Sequence, residues 1–169
     1  MIIIINGSLG VGKSSVAEEL HYKFERSVYL DGDYIGFVHP FEIYDEKRLE
    51  HLYRTLELLI KFHQKSGYYN FVINYVFETP VALRELLTLL RPLDAHLYTY
   101  WLTCESEEQA QRIQARQHEN LDWELSRFVE LQSIQAEAAR VGFIGKKIDT
   151  TGLTVAEVAT EIWRDIRNS

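Results

Sequence analysis

The sequence contains very little cysteine, proline or glycine. Its 169 residues include one Cys, three Pro and nine Gly. A single cysteine excludes an internal disulfide framework and a zinc knot built on several cysteines. It is typical of a protein of the reducing cytoplasm, which is the location that we predict. So few prolines and glycines provide no linker, and the sequence has no internal repeat or low-complexity tract.

Long hydrophobic runs and an excess of positive charge are also missing. No apolar run approaches the roughly 18 residues that cross a bilayer, so we expect no membrane contact. Lys and Arg number 18 against 25 Asp and Glu, and the net charge of -7 offers no electrostatic surface for nucleic acid. The hydrophobic fraction of 46% and the length predict one globular domain over residues 1–169.

Short apolar runs rich in β-branched and aromatic residues alternate with helical patterns along the chain. The runs predict strands at residues 2–5, 28–30, 71–77, 97–102 and 147–149. Apolar residues at helical spacing predict a long helix that starts near Asp45 and a last helix over 155–166. Strands that are apolar throughout and alternate with helices indicate a parallel sheet covered on both faces. The predicted class is therefore a doubly wound α/β fold.

Helix-start signals and a segment without strands add detail to this layout. Thr154 with Glu157, and less strongly Ser106 with Gln109, have the spacing of a capping box. Thr79 followed by proline has the pattern of a cap with proline at the first helical position. Two helical patterns, at about 105–117 and 122–140, follow the fourth strand with no strand between them. We therefore expect a helical lid over about residues 105–140.

The residues directly after the first strand fit the pattern G-x-x-x-x-G-K-[ST] at every position. They read Gly-Ser-Leu-Gly-Val-Gly-Lys-Ser, and a helical pattern follows. This pattern predicts a turn whose backbone N–H groups surround a phosphate at the N-terminus of a helix. Lys13 would contact the β- and γ-phosphates, and the Ser14 hydroxyl would bind Mg²⁺. The nucleotide-binding residues predicted in this loop are Gly7, Leu9, Gly10, Val11, Gly12, Lys13, Ser14 and Ser15.

Two aspartates lie at the end of the second predicted strand, in the segment Asp31-Gly32-Asp33. The carboxyl ends of parallel strands form the ligand crevice, so both would face the phosphate loop if the second strand lies near the first. Asp31 would then hold the metal through water, and Asp33 would accept the proton of an attacking hydroxyl. Asp-Gly-Asp is also ordinary turn chemistry, and that alternative stays open.

The order of strand, phosphate loop, helix and Asp31-x-Asp33 in so short a chain resembles the small P-loop kinases. These include shikimate kinase, gluconate kinase, adenylylsulfate kinase and chloramphenicol phosphotransferase. The resemblance covers the whole chain in layout, but only the phosphate loop is specific. It implies a five-stranded parallel sheet of order 2-3-1-4-5, ATP with Mg²⁺ as phosphoryl donor, and arginines in the lid. It also implies that Asp33 contacts the acceptor.

The chain departs from shikimate kinase at several positions. It has no Gly-Gly-Gly turn after the third strand and no Gly-Glu-x-x-Phe-Arg segment after the aspartates, which argues against shikimate as the acceptor. Many P-loop enzymes have a metal-binding Asp in the third strand, and here that place is occupied by Asn74. Either Asp31 or Glu78 would then replace it.

Arginines in the lid and a loop after the fifth strand supply the other nucleotide contacts. Arg112 and Arg116 are four residues apart, hence on one helix face, and would stabilise charge on the transferred phosphoryl group. The alternative for this face is a surface pairing with Glu108, and Arg127 is a further candidate. Thr151 lies in a segment that resembles the loop against the adenine in related kinases. A plain loop that caps the last helix explains that segment equally well.

The acceptor site is predicted in the loop that follows Asp33. Its aromatic residues suit an aromatic or nucleoside-like acceptor, or equally ordinary packing. The residues concerned are Tyr34, Phe37, His39, Pro40, Phe41 and Tyr44.

We expect an ATP-dependent kinase that phosphorylates a hydroxyl of a small molecule, such as a metabolite, nucleoside or antibiotic. A nucleoside monophosphate kinase ranks second, because only Lys47 and Arg48, and Arg84 further on, offer positive charge for an acceptor phosphate. A nucleotide-binding switch that transfers nothing to a small molecule is the alternative from another class. The sequence does not indicate the oligomeric state.

Overall fold

The computed structural model describes residues 1–40, 42, 45–116, 120–142 and 145–169. Strands and helices alternate through most of this part of the chain. In chain order they are β1 Ile2–Gly7, α1 Lys13–His21, β2 Ser27–Asp31, α2 Gly32–Ile35, α3 Glu46–Lys65, β3 Asn70–Asn74, α4 Pro80–Leu90, β4 Leu97–Thr103, α5 Ser106–Gln114, α6 Leu121–Val141, β5 Lys146–Asp149 and α7 Val155–Arg167.

The five strands form one parallel sheet in the order β2-β3-β1-β4-β5. This confirms the predicted α/β class and the strand order that the resemblance implied. The central strand β1 pairs with β3 as far as Ile5 opposite Asn74, and β2 pairs with β3 as far as Asp31 opposite Asn74. The register therefore brings the ends of β1, β2 and β3 together.

The side chains of β1 alternate between two hydrophobic cores, one on each face of the sheet. Ile2 and Ile4 pack with residues of α3 and α4, whereas Ile3 and Ile5 pack with residues of α1 and α7. All four isoleucines are fully buried. Burial of each stabilises the fold by about 2 kcal/mol relative to an exposed side chain. The strand that leads into the phosphate loop is thus held firmly from both sides.

The third strand is shorter than predicted, because it ends at Asn74 and not at residue 77. The backbone of Phe77 pairs instead with the side chain of Asn6, whose Oδ1 accepts a hydrogen bond from Phe77 N at 2.9 Å and whose Nδ2 donates to Phe77 O at 3.3 Å. Asn6 thereby replaces strand pairing where β1 and β3 separate. This separation opens the crevice at the carboxyl edge of the sheet.

Most of the predicted helix starts are confirmed. Thr154 and Glu157 form a complete capping box at α7, and Thr79 caps α4 by accepting from Ala82 N at 3.2 Å. The capping box predicted for Ser106 and Gln109 is wrong. The Gln109 side chain donates instead to the carbonyl oxygen of Leu9.

No helix within the described ranges combines the length and the apolar composition needed to cross a membrane. As predicted, α5 and α6 follow β4, and the described residues between β4 and the end of α6 contain no strand.

Candidate active site

The phosphate loop connects β1 to α1 and is shaped by two left-handed glycines. Gly12 has φ 92° and forms the N-cap of α1, and Gly10 has φ 78°. A Cβ at Gly10 would lie 2.8 Å from the carbonyl oxygen of Gln109, so helix α5 leaves no room for a side chain there. The loop therefore has the backbone geometry that lets successive N–H groups face an anion at a helix N-terminus.

The side chain of Lys13 lies against the inside of this loop. It is 7% exposed, and its Nζ donates a hydrogen bond to the carbonyl oxygen of Ser8 at 2.9 Å. Burial lowers the pKa of Lys13 to about 8, with a smaller lowering by Arg116, while Asp33 and Asp31 oppose the shift. Lys13 is therefore close to the groups with which it was predicted to share a site.

Asp31 occupies the turn between β2 and α2 and uses both carboxylate oxygens. Its Oδ1 accepts from Asp33 N at 2.8 Å and from Tyr34 N at 3.4 Å, so Asp31 caps the short helix α2. Its Oδ2 accepts from the Tyr29 hydroxyl at 2.9 Å and from Asn74 Nδ2 at 3.2 Å. The turn chemistry proposed as an alternative for Asp31 is present, and it orients Oδ2 toward the neighbouring strand.

Asn74 connects the two residues predicted to bind metal. Its Nδ2 lies 3.2 Å from Ser14 Oγ and 3.2 Å from Asp31 Oδ2. A hydroxyl and a carboxylate oxygen side by side are the ligand types that Mg²⁺ prefers, so the residues present fit this ion. No group of three or more His, Cys, Asp or Glu residues able to hold a metal occurs in the described residues. Phosphate oxygens and water would complete the coordination, as is usual for Mg²⁺ at nucleotide sites.

Glu78 lies in a different environment from Asp31. Its Oε1 forms an ion pair with Nη2 of Arg127, a residue of α6 that is 6% exposed. Arg127 also contacts Glu130 through Nη1 at 2.5 Å. Glu78 and Arg127 thus join the segment after β3 to α6.

Asp33 is the first residue after Gly32 in α2 and reaches solvent at the mouth of the crevice. The surrounding protein removes water from the Asp33 carboxylate, and this desolvation is the main cause of its raised pKa. The negative charge of Asp31 raises the pKa further. Lys13 and Arg48 act in the opposite direction. A carboxylate with a raised pKa beside a phosphate site has the properties of a general base.

Tyr75 was not predicted from the sequence as a site residue. Gly32 lets its ring approach the backbone before Asp33, since a Cβ on Gly32 would lie 2.7 Å from Tyr75 Cδ2. The Tyr75 hydroxyl accepts a hydrogen bond from Arg48 Nη1, and burial raises the pKa of Tyr75. Arg48 and Tyr75 therefore form one side of the space around Asp33.

The aromatic loop predicted to hold the acceptor is largely open to solvent in its described part. Tyr34 is 84% exposed and Phe37 is 80% exposed, and His39 and Pro40 are exposed as well. Phe41 and Tyr44 lie outside the described residues. The described aromatic side chains of the loop are thus not packed together into a pocket.

A cavity of about 310 Å³ adjoins the phosphate loop on the side of α5 and α7. Leu153, Thr154 and Val155 from the loop after β5 contribute to its wall, as does Thr150. Thr151 is not among the residues that line it, and its hydroxyl donates instead to Asp149 Oδ1 at 2.6 Å. The loop after β5 therefore borders the cavity through Thr150 and residues 153–155, whereas Thr151, the residue predicted to contact the nucleotide, does not line it. A larger groove of about 1150 Å³ lies between α3 and α4 and contains no phosphate-loop residue.

Arg112 and Arg116 both line the 310 Å³ cavity, but they differ in their contacts. Arg112 Nη2 forms an ion pair with Glu108 Oε1 at 2.5 Å and donates to the Thr150 carbonyl oxygen at 2.8 Å. Glu108 also accepts a hydrogen bond from Gly152 N at 3.0 Å. The pairing with Glu108 is thus present, and it fastens α5 to the loop after β5. Arg116 forms no side-chain hydrogen bond or ion pair with another described residue, and its charge acts on Lys13.

These contacts predict that replacing Arg112 mainly lowers stability, whereas replacing Arg116 mainly lowers the rate of phosphoryl transfer. Arg112→Ala should lower stability by about 1 to 2 kcal/mol, because charge-assisted hydrogen bonds to a partly exposed site are lost. That loss corresponds to a decrease in Tm of about 3 to 6 °C. Arg116→Ala should leave Tm unchanged and lower phosphoryl transfer about 10²-fold, the effect of removing one charge-stabilising donor. Thermal melts and steady-state rates of both variants test this, and equal effects of the two substitutions on Tm would contradict it.

Comparisons with known proteins identify the family of the chain. A family model described as AAA domain matches residues 3–135. No curated protein matches the chain at a significant level.

Solved structures with the same fold cover nearly the whole chain. The tunicamycin resistance protein of Deinococcus radiodurans is 19% identical with a TM-score of 0.66, covering 98% of this chain and 94% of its own. Shikimate kinase of Acinetobacter baumannii, in complex with shikimate, is 18% identical with a TM-score of 0.61, covering 99% and 93%. The APS kinase CysC of Mycobacterium tuberculosis, in complex with AMPPNP and APS, is 16% identical with a TM-score of 0.65, covering 99% and 97%. The predicted resemblance to small P-loop kinases is confirmed at the level of the fold.

Proposed function

Because this chain belongs to the AAA domain family and has the fold of small P-loop kinases, we propose that it is an ATP-dependent phosphotransferase. It moves the γ-phosphoryl group of ATP to a hydroxyl of a small molecule. The observation that carries the proposal is the phosphate loop, where left-handed Gly10 and Gly12 lead into α1 and buried Lys13 lies against the inside of the loop. The charge of Asp33 acts on Lys13 and supports the proposal. A base beside a phosphate cradle is what phosphoryl transfer to a hydroxyl requires.

The donor half of the site is assigned to the phosphate loop and the cavity beside it. The backbone N–H groups of residues 7–15 bind the phosphates, and Lys13 moves from the Ser8 carbonyl to the β- and γ-phosphates. Ser14 and Asp31 hold the magnesium side of the nucleotide, where the ion would neutralise phosphate charge. The nucleobase occupies the 310 Å³ cavity, whose walls include Arg112 and Thr150.

In the transfer step one bond to the γ-phosphorus forms and another breaks. Asp33 accepts the proton of the acceptor hydroxyl while the oxygen of that hydroxyl forms a bond to the γ-phosphorus. The bond between that phosphorus and the β–γ bridging oxygen breaks, and ADP leaves. Arg116 would stabilise the developing charge when the predicted lid, to which α5 and α6 belong, closes over the nucleotide.

The charges near Asp33 favour an uncharged acceptor over a nucleoside monophosphate. Arg127 is ion-paired with both Glu78 and Glu130, and Arg48 acts on Asp33 and bonds to Tyr75. Among the described residues, the charge of Arg127 is thus offset by two carboxylates, whereas Arg48 is bonded to a tyrosine hydroxyl. An acceptor phosphate would need to displace the glutamates from Arg127 or the hydroxyl from Arg48. A chain with one cysteine suits the reducing cytoplasm, and we place the reaction there.

The test is phosphoryl transfer from γ-labelled ATP with magnesium to separate pools of acceptors. One pool contains neutral polyols, nucleosides and hydroxylated antibiotics, and a second contains nucleoside monophosphates. We expect a labelled product in the first pool and none with the Lys13→Ala variant, which measures the background. Product in the second pool alone would instead support a nucleoside monophosphate kinase. Binding or hydrolysis of ATP without transfer to any pool would support a nucleotide-binding switch.

A further inference from the structure

Asn74 lies at the point where three strands meet. It is the last residue of β3, opposite Ile5 of β1 on one side and Asp31 of β2 on the other. The side chain is fully buried. The register of the sheet therefore fixes where its amide can reach, and the two oxygens within reach belong to Ser14 and Asp31.

The contacts of this amide use its donor side. Nδ2 donates to Asp31 Oδ2 and to Ser14 Oγ, whereas Oδ1 has no hydrogen-bond partner among the described residues. A buried oxygen without a hydrogen-bond partner destabilises the fold. The side chain of Asn74 thus makes two hydrogen bonds through Nδ2 although its Oδ1 is left unpaired. An aspartate in the same place would offer no donor and would bring a second negative charge against Asp31.

Asp31 is further immobilised by its other neighbours. The Tyr29 hydroxyl donates to the same Oδ2 that Asn74 contacts, and Asp33 N donates to Oδ1. Four donors, from β2, the start of α2 and β3, thus hold one carboxylate in a fixed orientation beside Ser14.

We propose that Asn74 is a positioning residue that holds Ser14 Oγ and Asp31 Oδ2 together for the magnesium ion of an incoming magnesium nucleotide. Its neutral amide leaves the site with too little negative charge to retain magnesium by itself. The ion therefore enters with the triphosphate, and Asn74 acts through the two ligands and not on the ion. This inference rests on the proposed function, since it requires that the phosphate loop binds a nucleotide.

The decisive measurement is how much magnesium strengthens nucleotide binding. Affinity for AMPPNP is determined by calorimetry with magnesium and with EDTA, for the wild type and for Asn74→Ala. Loss of an outer-shell partner lowers metal affinity about 10- to 100-fold. We therefore expect the magnesium ratio, the affinity for AMPPNP with magnesium divided by that in EDTA, to be about 10-fold lower in Asn74→Ala than in the wild type. The affinity in EDTA should stay within about 2-fold, because the backbone N–H groups and Lys13 are unaffected. Equal losses with magnesium and with EDTA would overturn the inference.

The matched control is Asn70→Ala, at the other end of the same strand. Asn70 is also buried and donates from Nδ2 to the Glu25 carbonyl oxygen at 2.7 Å, far from the phosphate loop. This variant should lose stability without any change in the magnesium ratio. A ratio that falls equally in Asn70→Ala would overturn the assignment to Asn74. A wild type that binds no AMPPNP in either buffer would contradict the proposed function itself.

A second variant covers the case in which Asn74→Ala does not fold. Asn74→Asp keeps the shape of the side chain and adds the missing negative charge. We expect magnesium chloride without nucleotide to raise the Tm of Asn74→Asp. The wild type should have the same Tm in magnesium chloride as in potassium chloride of equal ionic strength. Stabilisation of the wild type by magnesium alone, or no stabilisation of Asn74→Asp, would overturn the inference.

Discussion

Lys13→Ala should reduce ATP turnover by about 10³-fold or more, because it removes the cation nearest to the transferred phosphoryl group. The fold should remain intact. The lysine side chain is buried against the loop at an energetic cost, as its lowered pKa of about 8 indicates, and the core of β1 and α1 does not depend on it. Turnover is measured as release of ADP, and circular dichroism verifies the fold.

Two further variants separate the charge of Lys13 from its other properties. Lys23→Ala removes a partly buried lysine that follows α1 and pairs with Glu19 at 3.6 Å, and it should leave turnover unchanged. Lys13→Arg keeps a positive charge at every accessible pH. In the wild type the charged form of Lys13 predominates below pH 8, so kcat/KM for ATP should fall as the pH rises through about 8. The arginine variant should lack this decline, and a wild-type profile that stays flat to high pH would contradict the role of Lys13.

The phosphate loop could be predicted from the sequence because its geometry is local. Glycines at fixed spacing permit the left-handed conformations at Gly10 and Gly12, and the lysine and serine follow directly in the helix. The α/β class could also be predicted, since apolar runs alternate with helical patterns. The strand order came only from the resemblance to P-loop kinases, because hydrophobic periodicity carries no information on which strands are neighbours.

The rest of the site depends on contacts between distant segments. The bridge from Asn74 to Ser14 and Asp31 requires the register of three strands, and Tyr75 approaches Asp33 only because Gly32 has no side chain. The end of β3 was misplaced for a similar reason. The pattern of residues 71–77 is that of a strand throughout, whereas the strand ends at Asn74 and the backbone of Phe77 bonds to the side chain of Asn6 on another strand. Gln109 likewise fits a capping box locally, but its amide binds the phosphate loop.

Asp33→Asn should lower kcat by about 10² to 10⁴-fold while nucleotide binding is retained. An asparagine keeps the size of the side chain and its place in α2, but it does not accept a proton from the acceptor hydroxyl. Asp31 and Ser14 are unchanged, so the affinity for AMPPNP with magnesium should stay within about 3-fold of the wild type. Rates with the acceptor identified by the labelling experiment, together with calorimetry, measure the two quantities separately.

The pH profile and a capping aspartate provide the controls for this prediction. Asp33 must be deprotonated to act as a base, and loss of hydration raises its pKa, so kcat/KM of the wild type should decline on the acid side at a higher pH than for an ordinary carboxylate. Asp33→Asn should lose that acid limb. Asp45→Asn is the matched control, since Asp45 Oδ1 caps α3 by accepting from Lys47 N at 3.0 Å and an asparagine caps equally well. If Asp33→Asn transfers phosphate as fast as Asp45→Asn, the base is another group, and Asp33 serves only to set the charge around Lys13.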